Sequence, residues 1–263
     1  MSDVRITHIG GPTVLIETDG WTLPTDPTFD PPGRSYAFGW GTSSRKETGP
    51  ALPPAELPEV DAVLPTHDHH ADNLDDAGRT VAAGARTVVT TPARARRLGA
   101  NARALAPWQT TRLTASERPD LEITATPARH GPPLSGAFVG QVTGFALTWE
   151  GQRHGALWIS GDTVLFGGVR EVARRFTVGT ALLHLGGVRF PVTGPLCYTM
   201  TARQAMRLCA ELRPRTAFPV HYEGRRHFAE GRAGIERALA AAPHDVRDRI
   251  RWLPLGAPHD HEA

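Results

Sequence analysis

Short apolar runs and alternating apolar and polar positions, separated by Gly and Pro, follow one another along most of the chain. The segments Val4–Ile9 and Thr13–Thr18 flank a Gly-Gly-Pro turn and predict a β-hairpin. Trp21–Leu23 extends it with a third strand. The stretch Asp30–Pro58 has little periodicity and many Pro, Gly and Ser residues, which predicts a long loop.

After this loop the pattern changes to strands followed by helices. Val60–Leu64 predicts a buried strand, and Asp72 or Asn73 would cap a helix that runs to about Ala83. Cys209 falls on an apolar helical stripe, so core packing is its expected role. Further strands are predicted at Arg86–Thr90, Trp108–Leu113, Leu121–Thr126, Gln141–Trp149, Gly155–Ser160, Thr180–Leu185, Thr216–Val220 and Arg251–Leu255, and helices at Pro92–Leu98, Gly168–Phe176 and Gly231–Ala241.

Two β-rich halves, each with flanking helices, indicate two sheets packed face to face with helices outside. Periodicity alone supports an α/β or α+β class and does not choose the order of the layers. A chain of 263 residues is long enough for one large domain, so we expect a single domain over residues 1–263.

Charge and composition narrow the function classes. Lys plus Arg is 29 and Asp plus Glu is 27, which gives a formal net charge of +2 and argues against a dedicated nucleic-acid binder. No segment approaches the roughly 20 apolar residues of a membrane span. The N-terminus lacks the pattern of a signal peptide, and the two cysteines make no disulfide framework, so we expect a cytoplasmic protein.

Histidines cluster where the predicted strand Val60–Leu64 meets the next helix. His67, His69 and His70 lie within four residues of one another, with Asp72 close behind. Imidazole and carboxylate groups suit zinc, iron and manganese, and a short turn can direct several of them at one point. The alternative is a solvated polar loop without a metal.

Three more ligand-type residues follow predicted strands. His130 comes after Leu121–Thr126, Asp162 after Gly155–Ser160 and His221 after Thr216–Val220. Each alone has an ordinary explanation, as a surface histidine or a helix cap. Together they predict a site built at several strand ends, where α/β folds usually place one.

The order of these motifs resembles the metallo-β-lactamase superfamily of metal-dependent hydrolases. The family pattern is Thr-His-x-His-x-Asp-His, a lone His, Gly-Asp-Thr or Gly-Asp-Ser, and a late His. The resemblance covers roughly residues 4 to 255 and implies a four-layer αββα sandwich. The opening Ile9-Gly10-Gly11-Pro12-Thr13 and the late Pro219-Val220-His221-Tyr222 are similar to the branch containing the ascorbate-6-phosphate lactonase and the N-acylphosphatidylethanolamine phospholipase D.

The chain departs from the family pattern in the first motif. One extra residue separates the first His from the Asp, and Asn73 stands at the place of the final His. Alignment from the right favours His67 and His70 as ligands, with His69 as the alternative. Because an amide is a weaker zinc ligand than imidazole, the second metal site would be weaker, filled by a harder metal, or rebuilt with His69.

The resemblance implies one or two ions, Zn²⁺ first with Mn²⁺ or Fe²⁺ as alternatives. Their ligands would be His67, His69 or His70, Asp72, His130, Asp162 and His221. A metal-activated hydroxide would cleave an ester, lactone or phosphodiester bond of a small-molecule substrate, with Asp72 passing a proton. His184, Tyr198 and Tyr222 are candidate substrate contacts. The alternative is a non-catalytic metal-binding or sensory protein on the same fold. The chain could also form a homo-oligomer.

Overall fold

The computed structural model describes residues 3–39, 41–67, 72–133 and 135–263. Its strands are β1 (Asp3–Gly10), β2 (Thr13–Thr18), β3 (Trp21–Thr25), β4 (Ser35–Gly39), β5 (Thr42–Arg45), β6 (Ala62–Val63), β7 (Thr87–Thr90), β8 (Ala102–Ala104), β9 (Thr110–Ala115), β10 (Arg118–Pro127), β11 (Thr143–Trp149), β12 (Ala156–Ile159), β13 (Val178–His184), β14 (Thr216–Val220) and β15 (Pro258–Glu262). Its α-helices are α1 (Asp76–Gly84), α2 (Pro92–Leu98), α3 (Gly136–Val139), α4 (Gly167–Arg175), α5 (Ala202–Leu212), α6 (Arg232–Ala240) and α7 (His244–Arg247), and short 3₁₀ turns occupy Pro54–Glu56 and Pro191–Thr193.

The first layer of strands combines an antiparallel and a parallel part. The predicted hairpin β1–β2 and the third strand β3 are present, in the order β15-β1-β2-β3. Strands β6, β7 and β8 run parallel to one another. Backbone hydrogen bonds from Leu64 N to Pro24 O (3.0 Å) and from Asp61 N to Thr22 O (3.1 Å) join the two parts.

The second sheet has the order β14-β13-β12-β11-β10-β9. Its strands β9 to β12 are antiparallel, whereas β12, β13 and β14 are parallel and are connected through helices. The parallel strands therefore end at one edge, and the loops after them bear Asp162 and His221.

Apolar side chains form a core between the two sheets and smaller cores beneath the helices. Ile6, Ile16 and Leu23 of the first layer pack in one buried cluster with Phe145 and Phe218 of the second. Helices α1 and α2 cover the outer side of the first layer, and α4 to α7 cover the second. The predicted four-layer αββα arrangement is confirmed, and no helix within the described ranges is both long and apolar enough to cross a bilayer.

Two polar segments form strands that their sequence did not predict. The final strand is β15, which pairs with β1, whereas the predicted strand Arg251–Leu255 contributes only an isolated bridge from Leu255 to His8. Strand β15 is nearly all polar and partly exposed, so it lacks the apolar alternation that marks a strand. Likewise, the predicted loop Asp30–Pro58 contains the hairpin β4–β5, whose side chains are mostly exposed.

Helix α1 begins later than predicted, at Asp76, because Asp75 is its N-cap rather than Asp72 or Asn73. The Asp75 carboxylate accepts from Gly78 N (2.9 Å) and also from Phe29 N (2.9 Å) and Asp30 N (2.7 Å). The buried Lys46 ammonium donates to the same carboxylate (3.0 Å). Asp75 thereby ties the helix start to the loop after β3 and leaves Asp72 and Asn73 for the site.

We expect Asp75→Ala to destabilise the fold strongly. The change removes three acceptor contacts to backbone N–H groups, one of which is the helix cap, and the partner of a buried ammonium, which together predict a loss of about 3–5 kcal/mol in the free energy of unfolding. Asp76→Ala is the matched control, since Asp76 is exposed and pairs with the exposed Arg34; it should cost about 1 kcal/mol or less. Urea unfolding of both variants measures the difference, and equal losses would contradict the role of Asp75.

Candidate metal centre

The first ligand group joins His67, His130 and Asp162. All three are buried, and one potential ligand atom from each lies within 4.8 Å of the others. The ring centroids of His67 and His130 are 5.1 Å apart. His130 Nδ1 lies 2.8 Å from the carbonyl oxygen of Tyr198, which can only accept, so Nδ1 carries the proton and Nε2 keeps its lone pair for a metal.

The second ligand group joins Asp72, His221 and His227, again buried and with ligand atoms within 4.8 Å of one another. His227 Nε2 is 3.4 Å from Asp72 Oδ2. The sequence did not single out His227, because it follows no strand and belongs to no motif. Its ring lies against Phe38, Phe190 and Phe228 at centroid distances of 5.7, 5.7 and 4.7 Å.

The two groups meet at Asp162 and His221. His221 Nδ1 is 3.3 Å from Asp162 Oδ1, and both side chains are fully buried. Neither has a hydrogen bond of normal geometry to a described residue. Burial, with Asp72 and Asp26 nearby, raises the pKa of Asp162 well above its ordinary value, although the Asn73 amide acts in the opposite direction. Burial likewise lowers the pKa of His221 well below its ordinary value.

Buried carboxylates without a compensating positive charge are unfavourable, and a bound cation would stabilise them. The donor set of imidazole nitrogens and carboxylate oxygens is the one that Zn²⁺, Mn²⁺ and Fe²⁺ accept. The described residues therefore fit one ion in each group. The residues 68–71 lie outside the described ranges, so His69 and His70 stay sequence predictions.

The backbone at two site residues adopts the left-handed conformation. Gly161, before Asp162, has φ +61°, and a Cβ there would lie 2.4 Å from Thr143 O, so this position needs glycine. His221 itself has φ 55°, which is unusual for a residue with a side chain, and its N–H donates to Gly11 O (2.8 Å). Such conformations persist where surrounding contacts fix them, and they are concentrated at functional sites.

A family model, the β-lactamase superfamily domain, matches residues 23–222, which is more than half of the chain. The chain belongs to this superfamily. The matched range contains every described residue of both ligand groups except His227. The predicted metallo-β-lactamase fold is confirmed, and the protein is a metal-dependent hydrolase of this superfamily.

Curated relatives of the chain are named metal-dependent hydrolases, and solved structures share its fold. The chain is 29% identical over 199 residues to a UPF0173 metal-dependent hydrolase of Thermofilum pendens, which covers 75% of this chain and 76% of the relative. A Deinococcus radiodurans protein of the same name is 35% identical over 101 residues, 38% of this chain and 39% of the relative. The isothiocyanate hydrolase from Delia radicum gut bacteria superposes with a TM-score of 0.80 at 22% identity, covering 98% and 99% of the two chains. A metallo hydrolase of Ignicoccus hospitalis gives 0.69 at 21% identity, covering 99% of each.

The three residues predicted to contact substrate differ in how deeply they are buried. His184 is fully buried, and its Nε2 lies 3.2 Å from Asp26 Oδ2 while Thr66 donates to the other Asp26 oxygen. That position suits support of the loops that bear His67 and His221. Tyr222 is buried against Trp252, whereas Tyr198 is half-buried with its ring 5.8 Å from that of His130. Contact with a substrate stays a prediction for all three.

Proposed function

We propose that the protein hydrolyses an ester, lactone or phosphodiester bond of a small molecule at a centre of two metal ions. The observation that carries this proposal is the meeting of two buried ligand groups at Asp162 and His221. Two adjacent groups of three ligands, with the Asp162 carboxylate of one beside the His221 imidazole of the other, are the arrangement a two-metal hydrolytic site needs. The closer placement in the lactonase and phospholipase branch stays a prediction.

We assign His67, His130 and Asp162 to one ion, and Asp72, His221 and His227 to the other. Zn²⁺ is the first expectation for both positions, with Mn²⁺ and Fe²⁺ as alternatives. Such ions, when bound, lower the pKa of a water molecule toward neutrality and polarise the oxygen of the scissile bond. Asp162, between the two groups, would then hold the ions at a fixed separation.

Asp72 is the residue we assign to proton transfer. Its carboxylate is almost completely buried within the second group, beside His227, where an oxygen can accept a proton and pass it to the leaving group. No protein nucleophile is needed in this scheme. The environment of Cys209 is consistent with this scheme. Its thiol is packed in the core under α5, and burial raises its pKa to about 12.

His227 supplies the imidazole that the family pattern places at position 73. Asn73 is fully buried beside Asp162 and does not cap α1, so it occupies the site without offering an imidazole. His227 brings a ring nitrogen to Asp72 from the loop after β14 instead. The second position therefore need not be weak, although the alternative of completing it with His69 stays open.

A chelation cycle tests the proposal. Protein stripped with a chelator should lose hydrolysis of chromogenic esters, lactones or phosphodiesters, and reconstitution with Zn²⁺, Mn²⁺ or Fe²⁺ should restore it. An aryl isothiocyanate belongs in the panel because a similar fold carries that activity. The metal content of each sample is measured in parallel. Two bound equivalents with no turnover of any class would favour the non-catalytic alternative.

A further inference from the structure

A cavity of about 620 Å³ opens between the hairpin β4–β5 and the loop after β13. His227 forms part of its wall, so the cavity adjoins the second ligand group. Phe190 lines it as well, with its ring 5.7 Å from those of both His227 and Tyr198. Tyr198 in turn contacts His130, so a series of packed rings connects the cavity wall with both ligand groups.

The cavity is positively charged. Arg45, Arg189 and Arg226 line it, and none of its described lining residues is Asp or Glu. None of the three makes an ion pair with a carboxylate of the described residues. Some exposed arginines elsewhere do pair, as Arg112 does with Glu122 and Arg232 with Glu236, so what distinguishes these three is that they lie together around one cavity.

The remaining walls divide into a hydroxyl side and an apolar side. The hairpin contributes Ser35, Thr42, Ser43 and Ser44, and Ser44 Oγ is buried without a hydrogen-bond partner in the described part of the chain. The opposite loop contributes Phe190 and Val192, and Val192 is 62% exposed, which is high for an aliphatic side chain. Hydroxyl and guanidinium donors beside an apolar wall suit a ligand with an anionic group and an apolar part.

We propose that this arginine cavity binds the anionic part of the substrate, a carboxylate or a phosphate, while an adjacent bond is cleaved at the metal centre. The inference rests on the proposed hydrolytic function and names its substrate class, a small anionic molecule with an apolar portion. Three guanidinium groups that have no carboxylate partner among the described residues would also raise the local concentration of such a substrate.

The first test measures binding without catalysis, so that failure of hydrolysis does not affect it. Ligand-observed NMR titration of the metal-loaded protein would use benzenesulfonate, an anion that coordinates metals poorly, and the neutral methyl phenyl sulfone. The variant Arg189→Gln/Arg226→Gln should bind benzenesulfonate about tenfold or more weakly, with the sulfone unchanged. Phenylacetate and phenylphosphonate, run in the same way, distinguish carboxylate from phosphate preference.

The matched control is Arg203→Gln/Arg207→Gln, which removes the same charge from exposed positions on α5 that do not line the cavity. It should bind benzenesulfonate as the parent does. Equal weakening in both variants would mean a general charge effect and would overturn the proposal, as would parent-like binding by the Arg189 and Arg226 variant.

A second test uses turnover. The KM for the anionic mono(4-nitrophenyl) succinate should rise about tenfold in Arg189→Gln/Arg226→Gln, with kcat and the neutral 4-nitrophenyl butyrate little changed. Equal loss on both esters would contradict the assignment. If the parent cleaves neither ester, the proposed function fails for simple esters, whereas the NMR titration still decides the arginine cavity.

Discussion

Asp162→Asn should weaken metal binding in both ligand groups and abolish turnover. Asp162 belongs to the first group and lies 3.3 Å from His221 of the second, so the change removes a negative charge next to both ions while keeping the shape of the side chain. Loss of a metal ligand should exceed the 10–100-fold cost of changing a residue that only supports one, so we expect roughly 100-fold or greater loss of affinity. Competition of the protein with a chromophoric chelator for Zn²⁺ measures it.

The stability of the metal-free proteins is a second, independent test of the role of Asp162. Burial and nearby carboxylates raise its pKa in the folded state, so at neutral pH the unbound carboxylate destabilises the fold. Metal-free Asp162→Asn should therefore be at least as stable as the metal-free parent, although Zn²⁺ no longer stabilises it. Asp248→Asn, a change at an exposed position, is the control. Parent-like Zn²⁺ affinity in Asp162→Asn would remove this carboxylate from the site.

His227→Ala should remove the second ion and leave the first. His227 belongs only to the group with Asp72 and His221, so the group with His67 and His130 keeps all of its ligands. We expect roughly 100-fold weaker binding of one Zn²⁺ equivalent and unchanged binding of the other. His244→Ala, at an exposed histidine, should retain both. Calorimetric titration of the metal-free proteins counts the equivalents.

Adding Asn73→His to His227→Ala should recover much of the lost affinity. The new imidazole stands at the position where the family pattern has one, next to Asp72 in the chain and beside Asp162. Its recovery would show that His227 and position 73 serve the same ion. If His227→Ala still binds two equivalents, another residue completes the second position, and His69→Ala then becomes the informative variant.

Local patterns predicted the residues that stand directly after strands. His130, Asp162 and His221 each follow an apolar run within a short motif, and His67 follows the strand before α1. In each case the sequence around the ligand therefore also indicates the strand that positions it. His227 had no such signal. Its place beside Asp72 depends on how the loop after β14 packs on Phe38 and Phe190, which are distant in sequence.

The start of α1 likewise could not be predicted from local sequence alone. Asp72, Asn73, Asp75 and Asp76 are all suitable caps, and local propensity does not choose among them. The choice comes from tertiary contacts, because Asp75 also binds the backbone after β3 and the ammonium of Lys46. Similarly, β15 was missed because its pairing with β1 is a long-range contact made by an almost wholly polar segment.

Anomalous X-ray diffraction from crystals of the zinc-reconstituted protein tests the two-ion assignment most directly. We predict two peaks per chain, one within about 2.0–2.2 Å of ligand atoms of His67, His130 and Asp162, the other at the same distance from Asp72, His221 and His227. A single peak, or a second peak coordinated without His227, would contradict the assignment of the second position. The absence of zinc from both groups would contradict the metal centre as a whole.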